Sequence, residues 1–471
     1  MTLPALWAAA RARGGDSPAL REGDTVLSHA ALDEASARVA GRLAAAGVAA
    51  GDRVLLSGPT GLEVAVAYVA LVRLGATVVP AGTGSTPREL AHLVRDARVV
   101  AAVVDNPDRV GAHRLALVTT PAVPLPDGAA PALDAATGQD LAWLAHTSGT
   151  TGAPKAVPRT HAQLAAGADA VVGAWDWTGE DTLLLSLPLH HVHGLGVGLT
   201  AGLASGGAVW LLPRFDPGLI AELAGRASML FGVPTMYHRL LSAGVADRLA
   251  ALRLVVSGSA PLPAVIFDAL ALHCGTPPLE RYGMTETVML ASNPLAGPRK
   301  AGTVGTALPG VSLRLGEDSM VEVAGPAVFT GYAGRPRGSE WTADGYFRTG
   351  DLGEWDADGY LRLVGRASDM IITGGFNVSP REVEDVLVSH PAIADAAVVG
   401  LADPVWGQAV TAAVVVADGG GVPGDLGGYL AQRLAPHKRP KAVHALDALP
   451  RNAMGKVVRA DVARQIERGP G

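Results

Sequence analysis

Short apolar runs and amphipathic segments alternate along the first hundred residues of the chain. Ser28 can cap a helix whose apolar positions recur every three or four residues. A strand at 54–56, a helix at 62–74 and a strand at 77–79 are predicted next. This succession is typical of β-α-β units and predicts an α/β fold with mostly parallel sheets.

The following segments continue the pattern. Thr86 to Glu89 (T-P-R-E) has the form of a capping box with proline in the first turn, which predicts a helix to about residue 95. A buried strand is predicted at 99–104, whereas loops and edge strands are expected at 106–140, which lacks clear periodicity. Further along, 313–325 predicts a short hairpin.

A second, smaller set of elements closes the chain. Ser379 and Glu382 predict another capping box at the start of a helix. The predicted helices and strands of this part are 379–388, 396–399, 410–416 and 426–434. They fit a small α+β domain, so we predict two domains, 1–366 and 367–471.

Composition narrows the class of protein. The 471 residues are 49% hydrophobic and 17% charged, which suits a folded chain with more than one core. The formal net charge of -6 argues against a nucleic-acid partner. The single cysteine, Cys274, excludes a disulfide framework, and the N-terminus lacks the residue order of a signal peptide. We expect a cytoplasmic protein with no membrane span.

Candidate chemistry starts at 147–155, which reads T-S-G-T-T-G-A-P-K after an apolar run. Glycines let a backbone approach a ligand closely, while hydroxyls and bare N–H groups can point at phosphate oxygens. The order differs from a Walker loop, which needs Gly-Lys-Ser/Thr at the start of a helix. We predict a phosphate loop that comprises Thr147, Ser148, Gly149, Thr150, Thr151, Gly152 and Lys155.

This loop resembles the signature of the adenylate-forming superfamily, which comprises acyl-CoA synthetases, luciferases and the adenylation domains of peptide synthetases. Further motifs follow in that superfamily's order, at 254–261 (L-V-V-S-G-S-A-P), 279–287 (L-E-R-Y-G-M-T-E-T), 347–352 (F-R-T-G-D-L) and 450–456 (P-R-N-A-M-G-K). The resemblance implies an α/β fold: a large N-terminal domain of parallel-rich sheets with helices plus a small β-barrel-like part. A small mobile α+β C-terminal domain would carry the catalytic lysine.

The resemblance also implies ATP, Mg²⁺ and coenzyme A as cofactors or co-substrates. Tyr282 would stack on adenine, and Asp351 would accept bonds from both ribose hydroxyls. Glu286 would hold Mg²⁺ together with Thr150. The implied catalytic residues are Lys456, Thr285, Glu286 and His191. The remaining implied nucleotide-binding residues are Gly258, Ser259, Ala260, Glu280, Gly283, Met284 and Arg366.

The resemblance also implies transfer of the acyl group to a thiol, with residues of the small domain. Ser368 stands where the hinge residue of the superfamily is commonly Asp or Lys. Gly374 and Gly375, in a predicted strand at 372–378, would line the thiol tunnel after the domain has rotated. Lys438 belongs to a basic cluster that could serve either the phosphates of CoA or an acidic carrier protein.

Three histidines at 190–193 suggest a metal at first sight. No Cys, Asp or Glu joins them locally, and only His191 and His193 share a face if the segment is extended. We therefore favour neutral histidines that face a ligand. In the superfamily, His191 matches a position beside the reacting carboxylate.

Arg281 is the residue that indicates which acid is activated. Most members of the superfamily have a small or apolar residue there, because the position faces the acyl chain, and an unpaired cation in an apolar pocket is costly. We predict that Arg281 binds a second carboxylate of the substrate, with His193 and Ser259 donating alongside. The alternative is a surface pair between Arg281 and Glu280.

Long stretches, among them 231–239 and 433–440, resemble malonyl-CoA synthetases, which also accept methylmalonate. The predicted function is an ATP-dependent ligase that forms the acyl adenylate of malonate and transfers the acyl group to CoA. Alternatives are a CoA ligase for acetate, propionate or an aromatic acid, and an enzyme that loads a carrier protein. An inactive AMP-binding regulator is disfavoured, since Lys456, Glu286 and Asp351 are all present.

Overall fold

The structure of the protein, a computed structural model, describes residues 1–111, 113, 115–128, 132–147, 155–417, 420–452 and 455–468. Helices and strands alternate in these ranges as predicted. The α-helices are α1 (Leu3–Gly14), α2 (His29–Ala45), α3 (Leu62–Leu74), α4 (Pro87–Asp96), α5 (His161–Ala174), α6 (Ala201–Ser205), α7 (Pro217–Leu223), α8 (Pro234–Ser242), α9 (Ala264–Cys274), α10 (Pro380–Val388), α11 (Leu426–Ala431) and α12 (Arg459–Arg468).

The strands group into four sheets within the described ranges. They are β1 (Pro18–Glu22), β2 (Thr25–Ser28), β3 (Arg53–Ser57), β4 (Thr77–Pro80), β5 (Ala101–Val104), β6 (Leu117–Thr119), β7 (Leu141–Thr147), β8 (Lys155–Thr160), β9 (Thr182–Leu185), β10 (Ala208–Leu211), β11 (Met229–Gly232), β12 (Leu254–Ser257), β13 (Leu279–Tyr282), β14 (Ala291–Ser292), β15 (Thr306–Ala307), β16 (Ser312–Leu315), β17 (Met320–Ala324), β18 (Phe347–Trp355), β19 (Leu361–Arg366), β20 (Ile371–Thr373), β21 (Phe376–Val378), β22 (Ile393–Asp403), β23 (Gly407–Val416) and β24 (Ala442–Ala445).

Two parallel-rich sheets form the body of the chain up to residue 307. One has six strands in the order β6-β5-β3-β4-β7-β8, and the other has nine in the order β15-β14-β13-β12-β11-β9-β10-β1-β2. Helix α3 contacts strands of both sheets and shares one core with them, which explains why nearly all its positions are apolar. The α/β fold with parallel-rich sheets is therefore confirmed.

The order of the nine-stranded sheet gathers the predicted motifs. Strands β9, β11, β12 and β13 are parallel neighbours, so their carboxyl ends lie along one edge. The histidine segment follows β9, the Gly258-Ser259 turn follows β12, and Gly283 follows β13. Ligands of open α/β sheets bind at this kind of edge.

A four-stranded antiparallel sheet, β16-β17-β18-β19, lies in the position of the implied β-barrel-like part. The predicted hairpin at 313–325 is formed by β16 and β17. Asp351 on β18 pairs in register with Arg366, the last residue of β19. The sheet thus places a carboxylate and a guanidinium side by side next to the predicted hinge.

The remaining sheet contains β20 to β24 and follows residue 366. Two expectations were wrong there. The segment 372–378 is a hairpin instead of one strand, because Gly374 and Gly375 both adopt positive φ and reverse the chain. The helix after Ser379 begins as predicted, yet Ser379 makes no cap bond, since its hydroxyl donates to the carbonyl of Val364 at 2.7 Å.

Candidate active site

The two ends of the predicted phosphate loop lie opposite each other. Thr147 ends β7 and pairs with Lys155, which begins the antiparallel strand β8. A strand therefore follows the loop, where a Walker loop would have a helix. The predicted residues Ser148, Gly149, Thr150, Thr151 and Gly152 lie outside the described residues.

Glu286 is a buried carboxylate near the loop. The Tyr332 hydroxyl donates to its Oε1 at 2.9 Å, and the Lys155 ammonium lies 4.7 Å from the centre of the Tyr332 ring. Burial raises the pKa of Glu286 above its ordinary value. Tyr332 thus connects the lysine of the phosphate loop with the predicted metal ligand.

Arg159, a residue that the sequence analysis did not single out, lies beneath this group. Its side chain is fully buried on β8, where Nη1 donates to the Thr285 carbonyl at 3.3 Å and Nη2 donates to the Ala327 carbonyl. Burial lowers the pKa of Arg159 to about 9, and the charge of Glu286 opposes that decrease. Thr285 itself is half-buried beside Glu286.

Asp351 is held by two donors. The Tyr282 hydroxyl donates to Oδ2 at 2.5 Å, and Arg366 Nε lies 2.9 Å from Oδ1. Burial raises the pKa of Tyr282 well above its ordinary value, and the neighbouring carboxylate of Asp351 adds to the increase. Each carboxylate oxygen has a further lone pair, so Asp351 can still accept hydroxyl donors.

Lys456 faces this group from the C-terminal part of the chain. Burial lowers its pKa; the positive charge of Arg366 also lowers it, and the negative charge of Asp351 raises it. The backbone next to Lys456 packs against the first turn of α8, since a Cβ on Gly455 would lie 2.9 Å from the Thr235 hydroxyl oxygen. The structure therefore brings Lys456, Asp351 and Arg366 together.

Arg281 is buried on β13 and packs against Gly258, which follows the neighbouring strand β12. Its side chain is 4% exposed, and its Nε and Nη2 atoms have no hydrogen-bond partner among the described residues. Burial lowers its pKa to about 9, so the guanidinium remains charged at neutral pH. A Cβ on Gly258 would lie 2.4 Å from Arg281 Nε, so only glycine leaves room for this arrangement.

The predicted partners of Arg281 lie close to it. His193 Nδ1 is hydrogen bonded to Ser259 Oγ at 3.1 Å, and burial, with Arg281 nearby, lowers the pKa of His193 well below its ordinary value. Burial lowers the pKa of His191 to about 3. Both histidines are therefore neutral at pH 7, and the Nε2 atom of each is buried without a partner in the described part of the chain.

The structure decides two points that the sequence left open around Arg281. The histidine segment is not extended, because His193 begins a π-helical segment that runs to Thr200. The alternative surface pair of Arg281 with Glu280 does not form, because successive residues of β13 point to opposite faces and both are buried. Glu280 Oε1 accepts a hydrogen bond from the Leu262 N–H at 2.9 Å instead.

The residues predicted for thiol transfer lie within the small domain or at its start. Ser368 donates to Asp369 Oδ1 at 3.0 Å, and Gly374 packs on Trp406, which would lie 2.9 Å from a Cβ there. Lys438 Nζ donates to Glu382 at 2.5 Å. Their roles remain predictions, as do the remaining nucleotide contacts assigned to Ala260, Gly283 and Met284.

Mg²⁺ suits the oxygens present. It commonly takes one or two protein carboxylates and completes its shell with phosphate and water, so the Glu286 carboxylate, oriented by Tyr332, fits it. No group of three His, Cys, Asp or Glu side chains in the described ranges could hold an ion alone. The three neighbouring histidines therefore do not form such a group.

Two family models match the chain. The AMP-binding enzyme family matches residues 6–333, and the AMP-binding enzyme C-terminal domain matches residues 382–456. The fold and this match define the class: the chain belongs to the AMP-binding enzyme family. Among the described residues, none of the helices is both long and apolar enough to cross a membrane.

Similar proteins refine that class. The feruloyl-CoA synthase of Amycolatopsis sp. is 35% identical over 98% of both chains. A malonyl-CoA ligase solved with methylmalonyl-CoA and AMP is 42% identical, covers 93% of this chain and 97% of its own, and has a TM-score of 0.69. ATP-bound MatB from Rhodopseudomonas palustris is 36% identical over 98% and 99%, with a TM-score of 0.93. The chain is an ATP-dependent, AMP-forming acyl-CoA synthetase, with Mg²⁺ accompanying ATP.

Proposed function

We propose that the chain activates malonate, and also methylmalonate, as the acyl adenylate and transfers the acyl group to CoA. The observation that carries this proposal is Arg281, a buried cation with two unpaired nitrogen atoms among the described residues. A buried guanidinium binds a carboxylate through two parallel hydrogen bonds. A dicarboxylate supplies one carboxylate for Arg281 and leaves the other for the reaction. Neutral His193 and Ser259 are hydrogen bonded to each other, so one of them, through His193 Nε2 or Ser259 Oγ, donates to the same end.

In the first step, an oxygen of the free carboxylate attacks the α-phosphorus of ATP, and pyrophosphate leaves. Two anions approach each other, so catalysis consists of positioning and of neutralising charge. Lys456 is proposed to neutralise the carboxylate and the α-phosphate, and Thr285 to donate to that phosphate. Mg²⁺ held by Glu286 supplies further positive charge.

The nucleotide is proposed to be held at three places. Tyr282 stacks on adenine, and Asp351 accepts hydrogen bonds from the ribose hydroxyls. The carboxylate of Asp351 must then accept the Tyr282 hydroxyl and the ribose hydroxyls together. The loop from Thr147 to Lys155 holds the pyrophosphate group. Neutral His191 lies beside the reacting carboxylate.

In the second step, the thiol of CoA attacks the acyl carbonyl, AMP leaves with the bonding electron pair, and the thiol proton is released. We propose that domain 367–471 rotates about Ser368 relative to domain 1–366. That rotation withdraws Lys456 and brings the Gly374-Gly375 turn to the site, with Lys438 near the phosphates of CoA. One site then performs both steps in two poses.

A panel of acids tests the proposal. AMP release with CoA should be roughly 100-fold more efficient, as kcat/KM, for malonate than for propionate, since the unpaired guanidinium penalises an acid without a second carboxylate. Ferulate serves as the aromatic competitor. Preference for propionate or ferulate would overturn the dicarboxylate assignment, and product that forms only with a carrier-bound thiol would overturn CoA as the acceptor.

A further inference from the structure

Arg159 has no role in the chemistry described so far. Among the described residues, its terminal nitrogens donate to backbone carbonyls alone, namely those of Thr285 and Ala327. A fully buried guanidinium is costly, and its rigid fork suits it to hold two acceptors in a fixed relative position.

The two ends of the Arg159 side chain belong to different parts of the site. Its backbone is on β8, the strand that begins with Lys155 at the end of the phosphate loop. Its guanidinium holds the carbonyl of Thr285, the residue directly before Glu286. A shift of one segment is therefore transmitted to the other.

Other contacts close the same network around Glu286. The carbonyl of Glu286 accepts the Phe329 N–H at 2.8 Å, and Phe329 lies two residues after Ala327. Tyr332 then donates to the carboxylate while its ring faces Lys155. Glu286 is thus fixed at its side chain, at its own carbonyl and at the preceding carbonyl.

We propose that Arg159 is a positioning residue for adenylation, which fixes the Glu286 carboxylate relative to Lys155, at the end of the phosphate loop, so that both face the same phosphate groups. It acts through Thr285 and Ala327 and does not touch the substrate. The inference rests on the metal-binding role proposed for Glu286, and it is independent of which acid is activated.

The test separates the two half-reactions in the full chain. Adenylation is measured by acid-dependent exchange of pyrophosphate into ATP, with whichever acid the wild type uses. Thioester formation is measured by adding CoA to synthetic acyl adenylate. We expect Arg159→Met to slow adenylation roughly 30-fold and thioester formation less than about twofold. Only adenylation needs the metal ligand Glu286 to be correctly positioned relative to the phosphate loop. Arg159→Lys should recover part of the loss, since an ammonium can still reach one carbonyl.

A binding measurement supplies a readout besides activity. Calorimetry of ATP binding with and without Mg²⁺ should show that Arg159→Met loses most of the gain in affinity that Mg²⁺ provides. Glu286→Gln should lose the same gain. If Glu286→Gln keeps it, the proposed role of Glu286 is wrong; if only Arg159→Met keeps it, the positioning role alone is wrong.

Arg299 is the matched control, since it too donates to backbone carbonyls, in its case the three of Pro294, Pro277 and Leu295. Arg299→Met should change both half-reactions by similar factors. If Arg159→Met fails to fold, Tyr332→Phe tests the network from its other side and should also slow adenylation selectively. Equal losses in both half-reactions, for Arg159→Met or Tyr332→Phe, would refute the proposal.

Discussion

The nucleotide side of the active site, around Glu286 and Asp351, and the acyl side, around Arg281 and His193, differ in whether their buried polar groups have hydrogen-bond partners. On the nucleotide side, Glu286 and Asp351 already have protein donors, although Arg159 Nε has no partner within the described part of the chain. On the acyl side, several buried polar atoms have no partner among the described residues. These are Arg281 Nε and Nη2, Ser257 Oγ, His191 Nε2 and His193 Nε2.

This difference assigns the reaction to the nucleotide side and the choice of acid to the acyl side. A pre-paired nucleotide side keeps its geometry before ATP arrives, which lowers the cost of organising the transition state. An unpaired buried polar group costs about 1–3 kcal/mol, and a ligand that pairs with it recovers this energy. The acyl side therefore favours acids that can satisfy Arg281 and disfavours those that cannot.

The largest expected effect concerns Lys456, which faces the nucleotide side. Removing its charge in Lys456→Ala should slow pyrophosphate exchange by roughly 1,000-fold, because two anions would approach without that cation. Thioester formation from synthetic acyl adenylate should change little. The exposed Lys441, changed to alanine, serves as the control and should keep wild-type exchange. Similar losses in both half-reactions would contradict a role confined to adenylation.

A smaller and more selective effect is expected on the acyl side. Arg281→Met keeps most of the volume of the side chain and removes the cation, so kcat/KM for malonate should fall by roughly 100-fold. Activity with propionate should stay equal or rise, since no unpaired charge remains. The measurement is AMP release with each acid at saturating ATP and CoA. Equal losses for both acids would show that Arg281 supports the site without selecting the acid.

The sequence predicted much of this arrangement, for reasons that particular residues make clear. The helix at 62–74 and the capping box at Thr86 were predicted because their signals are local. Arg281 was found because the resemblance places it at a position that is commonly small or apolar. Arg159 lies in β8, outside the motifs, and was missed. Tyr332 was missed because its contact with Glu286 spans 46 residues. The predicted cap at Ser379 was wrong because its hydroxyl donates to the distant Val364 carbonyl instead.

The smallest expected effect on activity concerns Glu280, which adjoins Arg281 but points to the opposite face of β13. Its Oε2 atom is also buried without a partner in the described ranges, yet burial raises its pKa to about 7. A proton can therefore neutralise the buried charge of Glu280. Arg281 stays charged at neutral pH, so its charge is compensated only when an anion binds. This contrast predicts that Glu280 affects stability and not the choice of acid.

The sign of the effect follows from the pKa of Glu280. Its folded-state value of about 7 exceeds the ordinary 4.5, so the folded state binds the proton more tightly, and stability falls as pH rises from about 4.5 to 7. Glu280→Gln keeps the acceptor for the Leu262 N–H and removes that loss. The variant should therefore gain on the order of 3 kcal/mol relative to wild type between pH 5 and pH 8, measured by urea unfolding. A difference that is constant across this range would show that Glu280 ionises freely in the folded protein.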